Sequence, residues 1–172
     1  NGKVELWSGK DEDVEAPVIK KDGDKYNWEI YNANQFKFFA NYINDTLTAE
    51  QKGTITDNQT GTIKEPTTVY LMADLDLGAR PDENGNWNTP ANESKKWTPI
   101  GKTSDADYDS YIIFNGTFEG NNHVIRGAYV SVNGKHVGIF GNSHTIQNLT
   151  VKDSYIYGIG ECALFKGLSS DD

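Results

Sequence analysis

The sequence predicts a β-solenoid, a fold in which strands wind repeatedly around a narrow core, and three observations support this. Residues 120–130 resemble residues 141–151 at a shift of 21 residues, with Gly, Asn, His, Ile and Val recurring in place. A period near 20 with strand-forming residues is typical of one solenoid coil. The hydrophobic content of 36% and the mean hydropathy of −0.65 are low for a sphere but sufficient for a narrow core.

The third observation is that Gly127 aligns with Asn148 across this repeat. Glycine and asparagine are the residue types that most readily adopt a left-handed backbone conformation. A coil that turns a corner at the same place each time needs that conformation repeatedly. We therefore predict that Gly127 and Asn148 share a left-handed turn, and that Ile125 and Ile146 stack inside the core.

The best helix signal follows a polar lead-in of edge strands over residues 1–27. Asn32 is a candidate N-cap with Gln35 three residues later, which predicts a helix over 32–44. Its apolar stripe repeats at i, i+3, i+4 and i+7, and its other face is polar. We expect the stripe to cover the open end of the first coil, with a ligand-binding groove as the alternative. The stripe consists of Phe36, Phe39, Ala40 and Ile43, and the polar face of Lys37, Asn41 and Asn44.

The rest of the chain predicts strands separated by long loops within one β-helix domain, 28–172, with coils from residue 68 onward. Residues 69–77 alternate aliphatic with other side chains and predict a single strand. Loop excursions follow at 78–96 and 102–110. An incomplete last coil over 155–168 predicts either further coils downstream or an end-to-end dimer, because its strand edge would be unpaired.

Charge and composition exclude several classes of partner. The net charge is −9, with 16 Lys+Arg against 25 Asp+Glu, so binding to nucleic acid or to an anionic membrane surface is disfavoured. No apolar run approaches the length of about 20 residues that a membrane span needs. The single cysteine, Cys162, permits no intrachain disulfide.

Several motifs taken in order resemble the GLUG-motif proteins of bacterial cell surfaces. The resemblance covers roughly residues 28–167, and it implies a right-handed parallel β-helix, export, and a surface or outer-membrane, adhesin-like role. It implies no catalytic residues. The sequence around Glu161-Cys162-Ala163 departs from the pattern, where a small-residue step is expected. The motifs that carry the resemblance are residues 33–44, 71–77, 97–101, 114–125, 138–141 and 146–151.

Two pairs of side chains were considered for chemistry. Asp74 and Asp76 would lie on one face of the predicted strand, roughly 6.6 Å apart, a separation found in paired glycosidase carboxylates. A solvated outer face is the other interpretation, because no apolar pocket is predicted beside them. His123 and His144 are one period apart and predict a stack of imidazoles, but no third ligand for zinc is evident.

The candidate site residues lie in the loop excursions. Loop aromatics stack on sugar rings, so Trp87, Tyr108 and Tyr111 are the predicted ligand-binding residues; the alternative is that they fold back onto the domain. Asp105, Asp107 and Asp109 imitate the start of a calcium loop, although the later glycine and glutamate positions are not matched. No other cofactor is predicted.

Three functional hypotheses follow. The first is a secreted or cell-surface adhesion module that binds a host surface protein or matrix component through its loops. The second is a carbohydrate-binding module that recognises a glycan. The third is a polysaccharide lyase or hydrolase of the β-helix kind, although the sequence predicts no catalytic residues and favours a protein that is not an enzyme.

Overall fold

The computed structural model of the chain describes residues 4–103, 111–134 and 136–163. Its helical elements are a 3-10 turn (Asp11–Asp13), α1 (Ala33–Ile43), α2 (Ala49–Thr54) and α3 (Pro90–Glu93). Its strands are β1 (Val18–Asp22), β2 (Lys25–Ile30), β3 (Pro66–Leu71), β4 (Leu75–Asp76), β5 (Phe114–Glu119), β6 (Val124–Arg126), β7 (Tyr129–Ser131), β8 (His136–Val137), β9 (Ser143–Gln147), β10 (Thr150–Lys152), β11 (Tyr155–Tyr157) and β12 (Glu161–Cys162).

The strands form one large sheet and three small ones. The large sheet has the order β1-β2-β3-β5-β9, in which β1 and β2 are an antiparallel hairpin and the other neighbours are parallel. The small sheets are β10-β6-β4, β11-β7 and β12-β8, all parallel. Parallel neighbours need long connections, and the loops and helices of the chain supply them.

The predicted fold class, a mainly β, right-handed parallel β-helix, was wrong. The described chain is a mixed α/β domain whose sheets combine parallel and antiparallel strands and which includes three α-helices. A solenoid with one repeat length would pair strands at a constant separation. Here Trp28 pairs with Val69, Val69 with Phe118, and Phe118 with Ile146, so the separation changes at each step.

The 21-residue register was wrong for the same reason. Ile125 pairs with Val151, 26 residues later, and Ile146 pairs with Phe118, 28 residues earlier. The backbone prediction was correct in part, since Gly127 and Asn148 both have positive φ, 69° and 54°. They belong to different turns, because the Gly127 N–H donates to the carbonyl of Asp153.

The left-handed turn at Asn148 predicts a measurable cost for a branched side chain. Asn148→Val should lower the free energy of unfolding by about 1–2 kcal/mol, because a β-branched residue is strained at positive φ. The variant also loses the two hydrogen bonds that the Asn148 amide donates to the Glu119 carboxylate, both 3.0 Å. Asn148→Gly loses the same bonds without the strain, so urea unfolding of both variants separates the two effects. Equal losses would contradict the strain argument.

Helix α1 begins and ends where its sequence signals predict. The side chain of Asn32 accepts a hydrogen bond from the Gln35 N–H at 2.9 Å, and Asn44 is the C-cap. The Gln35 side chain accepts instead from the Tyr31 N–H, one residue before the expected partner. The predicted apolar stripe packs inward: Phe36 and Phe39 are fully buried.

The aromatic side chains beneath α1 form the centre of the core. Phe36 stacks on Trp97 with ring centroids 4.9 Å apart, and its ring also lies near those of Phe118 and Phe140. Trp7, from the predicted lead-in, is buried and contacts Trp97 edge-on at 5.7 Å. The amino-terminal residues therefore contribute to this core.

The single strand predicted over residues 69–77 is two strands, β3 and β4, separated at residues 72–74. Leu75 and Leu77 are buried as expected, but Asp76 is buried between them. Strand β4 lies under the loop that follows it, so both of its faces are covered. In the part of the chain that the structure describes, no helix has the length and apolar character needed to cross a bilayer.

Candidate functional site

The largest surface cavity is a groove beside α1, which we call the α1 groove. It has a volume of about 850 Å³ and is lined by residues of the 11–12 turn, α1, the start of α2 and the segments 98–103, 112 and 132–137. This volume lies in the range of small-molecule and cofactor sites. Amide and hydroxyl side chains supply much of its described lining: Asn41, Asn44, Thr46, Thr48, Gln51, Thr98, Thr103 and Asn133.

One wall of the α1 groove is the polar face of α1. Lys37, Asn41 and Asn44 are spaced at i, i+4 and i+7, which places them on one side of a helix. Sequence reasoning identified this polar face but did not assign it a ligand. The spacing itself was the available signal, because three polar residues in line on a helix with a buried opposite face mark a polar wall.

The opposite wall is fixed to α1 by hydrogen bonds. The Asn44 amide donates to the Pro99 carbonyl and accepts from the Gly101 N–H, both at 2.9 Å. In this segment Trp97 and Ile100 point into the core, which leaves Thr98 and Pro99 to line the groove. The α1 groove is therefore built from tethered backbone.

A second tether holds the far side of that wall. Lys102 and Ile112 exchange backbone hydrogen bonds of 2.9 and 3.0 Å, and the Asn142 amide donates to the carbonyls of both residues. Gly101 has φ +78°, and a Cβ there would collide with the Asn142 carbonyl oxygen. This position therefore requires glycine, and the close approach fixes the distance between the two segments.

Lys37 is the most unusual group in the α1 groove. Its ammonium nitrogen lies 5.5 Å from the ring centre of Trp7 and 5.1 Å from that of Trp97. Among the described residues it has no hydrogen-bond or ion-pair partner. Burial lowers the pKa of Lys37, and the more distant Asp11 carboxylate partly opposes this effect. Its three N–H donors are available to a bound molecule.

The predicted ligand-binding residue Trp87 lies outside the α1 groove, in a column of aromatic rings. It stacks on Tyr155 at 6.2 Å, and Tyr155 stacks on Tyr129 at 5.6 Å. The Tyr129 hydroxyl donates to Glu93 at 3.2 Å, and burial, followed by Glu93, raises the pKa of Tyr129. Trp87 is half-buried, so this loop aromatic folds back onto the domain.

The other predicted site residues lie near the α1 groove or beyond the described residues. Tyr111 is 49% exposed and directly precedes Ile112, which lines the groove. Tyr108 and the predicted calcium ligands Asp105, Asp107 and Asp109 lie outside the described residues. Within the described part of the chain, no cluster of three or more His, Cys, Asp or Glu side chains is suited to a metal ion.

Asp74 and Asp76 do not form a pair on one strand face. The Asp74 carboxylate accepts from the Val124 N–H at 2.9 Å and contacts the His123 ring, and these interactions lower the pKa of Asp74. Burial opposes ionisation of Asp76, but its bonds from Arg80 outweigh it and lower the pKa of Asp76. Neither is the acid of raised pKa that glycoside hydrolysis requires.

The two histidines were predicted to stack, and this was wrong. His123 contacts Asp74 at 3.1 Å, whereas the ring of His144 contacts the hydroxyl of Thr145 at 3.0 Å on strand β9. The corrected strand register separates them, because β9 pairs with β5 while the segment after His123 pairs with β10.

Comparison with known proteins adds no relative. No family model matches the chain, and no curated protein or solved structure shows significant similarity to it. The resemblance to GLUG-motif proteins, with the export and surface location that it implies, therefore stays a prediction based on short motifs.

Proposed function

We propose that this chain is a binding module that takes a hydroxyl-rich ligand, an oligosaccharide, in the α1 groove. The observation that supports this is the groove's lining of amide and hydroxyl side chains around one partner-free ammonium. Sugars are bound by convergent polar groups of this kind, which donate to and accept from ring hydroxyls. Within an adhesion module, such a groove would make the ligand a glycan on a host or matrix surface.

Two features of the α1 groove favour binding without large rearrangement. The Asn44 and Asn142 amides fix the wall formed by residues 98–103, so a ligand need not order that backbone. The side chains of Asn41 and Thr98 have no hydrogen-bond partner in the described chain, and both face the groove. Pre-organised walls with unused polar groups reduce the entropic cost of binding.

The proposal predicts that groove variants weaken oligosaccharide binding. Ligands would first be selected on a glycan array and their affinities then measured by titration calorimetry. Asn41→Ala combined with Thr98→Ala should raise Kd about tenfold, since each neutral hydrogen bond contributes roughly 0.5–1.5 kcal/mol. The matched control combines Asn58→Ala with Thr67→Ala, two exposed positions outside the groove, and should leave Kd unchanged.

A third variant tests the aromatic alternative. If the glycan is bound by the column of Trp87, Tyr155 and Tyr129, Trp87→Ala will weaken binding while the groove variant will not. That outcome would contradict the proposed site but keep the carbohydrate-binding function. Absence of any binding on the array would contradict the function itself.

A further inference from the structure

We infer that the α1 groove selects an acidic oligosaccharide and that Lys37 receives its carboxylate. This inference rests on the proposed function, since it specifies the ligand class of the same groove. Its starting point is that the Lys37 ammonium lines the groove without a hydrogen-bond or ion-pair partner among the described residues.

The position of Lys37 explains why an anion, rather than only a hydroxyl, suits it. The ammonium lies over the faces of two indoles, 5.5 and 5.1 Å from their centres, which orient it but offer no acceptor oxygen. An ammonium withdrawn from water regains its lost solvation best from a charged acceptor. A hydrogen bond between two ionised groups is about twice as strong as a neutral one.

The charge of the α1 groove permits an anionic ligand although the whole chain carries −9. Two lysines, Lys37 and Lys102, and two acidic residues, Asp11 and Glu12, appear in its described lining. The described walls are therefore formally neutral, in contrast to the acidic chain as a whole. At physiological salt, charges farther than about 8 Å from the ligand are largely screened.

The same walls limit how much negative charge the ligand carries. Asp11 and Glu12 repel a second nearby anion but accept hydrogen bonds from sugar hydroxyls. This arrangement fits an oligosaccharide with spaced carboxylates, such as one uronic acid between neutral residues. It does not fit a densely sulfated chain.

The test uses uronic-acid oligosaccharides, each paired with its carboxyl-reduced neutral counterpart, and titration calorimetry at 0.15 M salt. A carboxylated member should bind at least about tenfold more tightly than its neutral counterpart, since a charge-assisted hydrogen bond is worth roughly 1.5–3 kcal/mol. Lys37→Met should remove this preference while leaving the affinity for the neutral sugar within about twofold. Lys37→Arg should retain a preference for the acid.

Two controls separate this inference from folding effects and from the proposed function. Lys21→Met removes an exposed lysine on β1 and should keep the full preference, while thermal unfolding checks that Lys37→Met folds. If Lys37→Met does not fold, Lys37→Gln is titrated in its place. Equal affinity for acidic and neutral members, or a preference that survives loss of the Lys37 charge, would overturn the inference alone. Absence of binding by every member would overturn the proposed function together with it.

Discussion

Replacing Phe36 with alanine should lower the free energy of unfolding by about 3–5 kcal/mol, the largest effect that we expect from a single substitution here. Phe36 is fully buried and stacks on Trp97 with an angle of only 7° between the rings. Its ring also contacts those of Phe39, Phe118 and Phe140. Truncation removes the buried ring and leaves a cavity whose walls belong to α1 and several strands, so they cannot close around it.

Urea unfolding at neutral pH measures this effect, and two variants calibrate it. Tyr31→Ala removes a nearby aromatic ring that is 45% exposed, and it should cost less than about 1 kcal/mol. Phe36→Leu keeps most of the buried volume and should fall between the two. A loss below about 1 kcal/mol for Phe36→Ala would show that α1 does not anchor the core.

Helix α1 could be predicted from sequence because its signals are local. The cap at Asn32 and the apolar stripe containing Phe36 and Phe39 lie within twelve residues of one another. Each signal depends on contacts along the same helix or on which face is apolar. Both are readable without knowing where the rest of the chain lies.

The strand partners could not be predicted, because register is set by distant parts of the chain. The matching letters at residues 120–130 and 141–151 suggested a 21-residue coil. In the structure, Gly120 donates to Gln147, and Ile125 pairs with Val151. The recurring Gly, Asn and His reflect similar needs at two separate turns. They do not mark equivalent positions in neighbouring strands.

The α1 groove illustrates the same limit at the level of the site. Its polar stripe of Lys37, Asn41 and Asn44 was visible on the helix, but a polar stripe alone usually faces solvent. The wall opposite it is formed by residues 98–103, more than fifty positions away. Trp87 shows the reverse error, because a loop aromatic that sequence places in solvent finds Tyr155 as a stacking partner.

Asp76→Ala should give the second largest loss of stability, roughly 2–3 kcal/mol at neutral pH. The Asp76 carboxylate is 6% exposed, and its Oδ1 accepts from the Gly78 N–H at 2.9 Å and from Arg80 Nη1 at 3.0 Å. A second bond joins its Oδ2 to Arg80 Nη2, so the pair is bidentate. Removing the carboxylate leaves the Gly78 N–H and one side of the guanidinium without an acceptor.

A double-mutant cycle with Arg80→Ala isolates the ion pair from the rest of this loss. Arg80 is about half exposed, so Arg80→Ala alone should cost less than Asp76→Ala. The coupling between the two substitutions should be roughly 1 kcal/mol or more, because the pair is bidentate and one partner is buried. Additive losses would show that Asp76 acts mainly through the Gly78 N–H.

The contribution of Asp76 should also depend on pH in a defined direction. Burial alone would raise the pKa of Asp76, but the hydrogen bonds from Arg80 and the Gly78 N–H outweigh burial and hold it below its usual value. A carboxyl group whose pKa is lower in the folded than in the unfolded state stabilises the fold fully above the unfolded value of about 3.9. This stabilisation is lost as the pH falls through the folded pKa. The stability difference between the natural chain and Asp76→Ala should therefore be constant from pH 7 to about pH 5 and shrink below about pH 4. Denaturant titrations across this range test it, and a difference that grows on acidification would mean that burial dominates and that Asp76 is protonated in the fold.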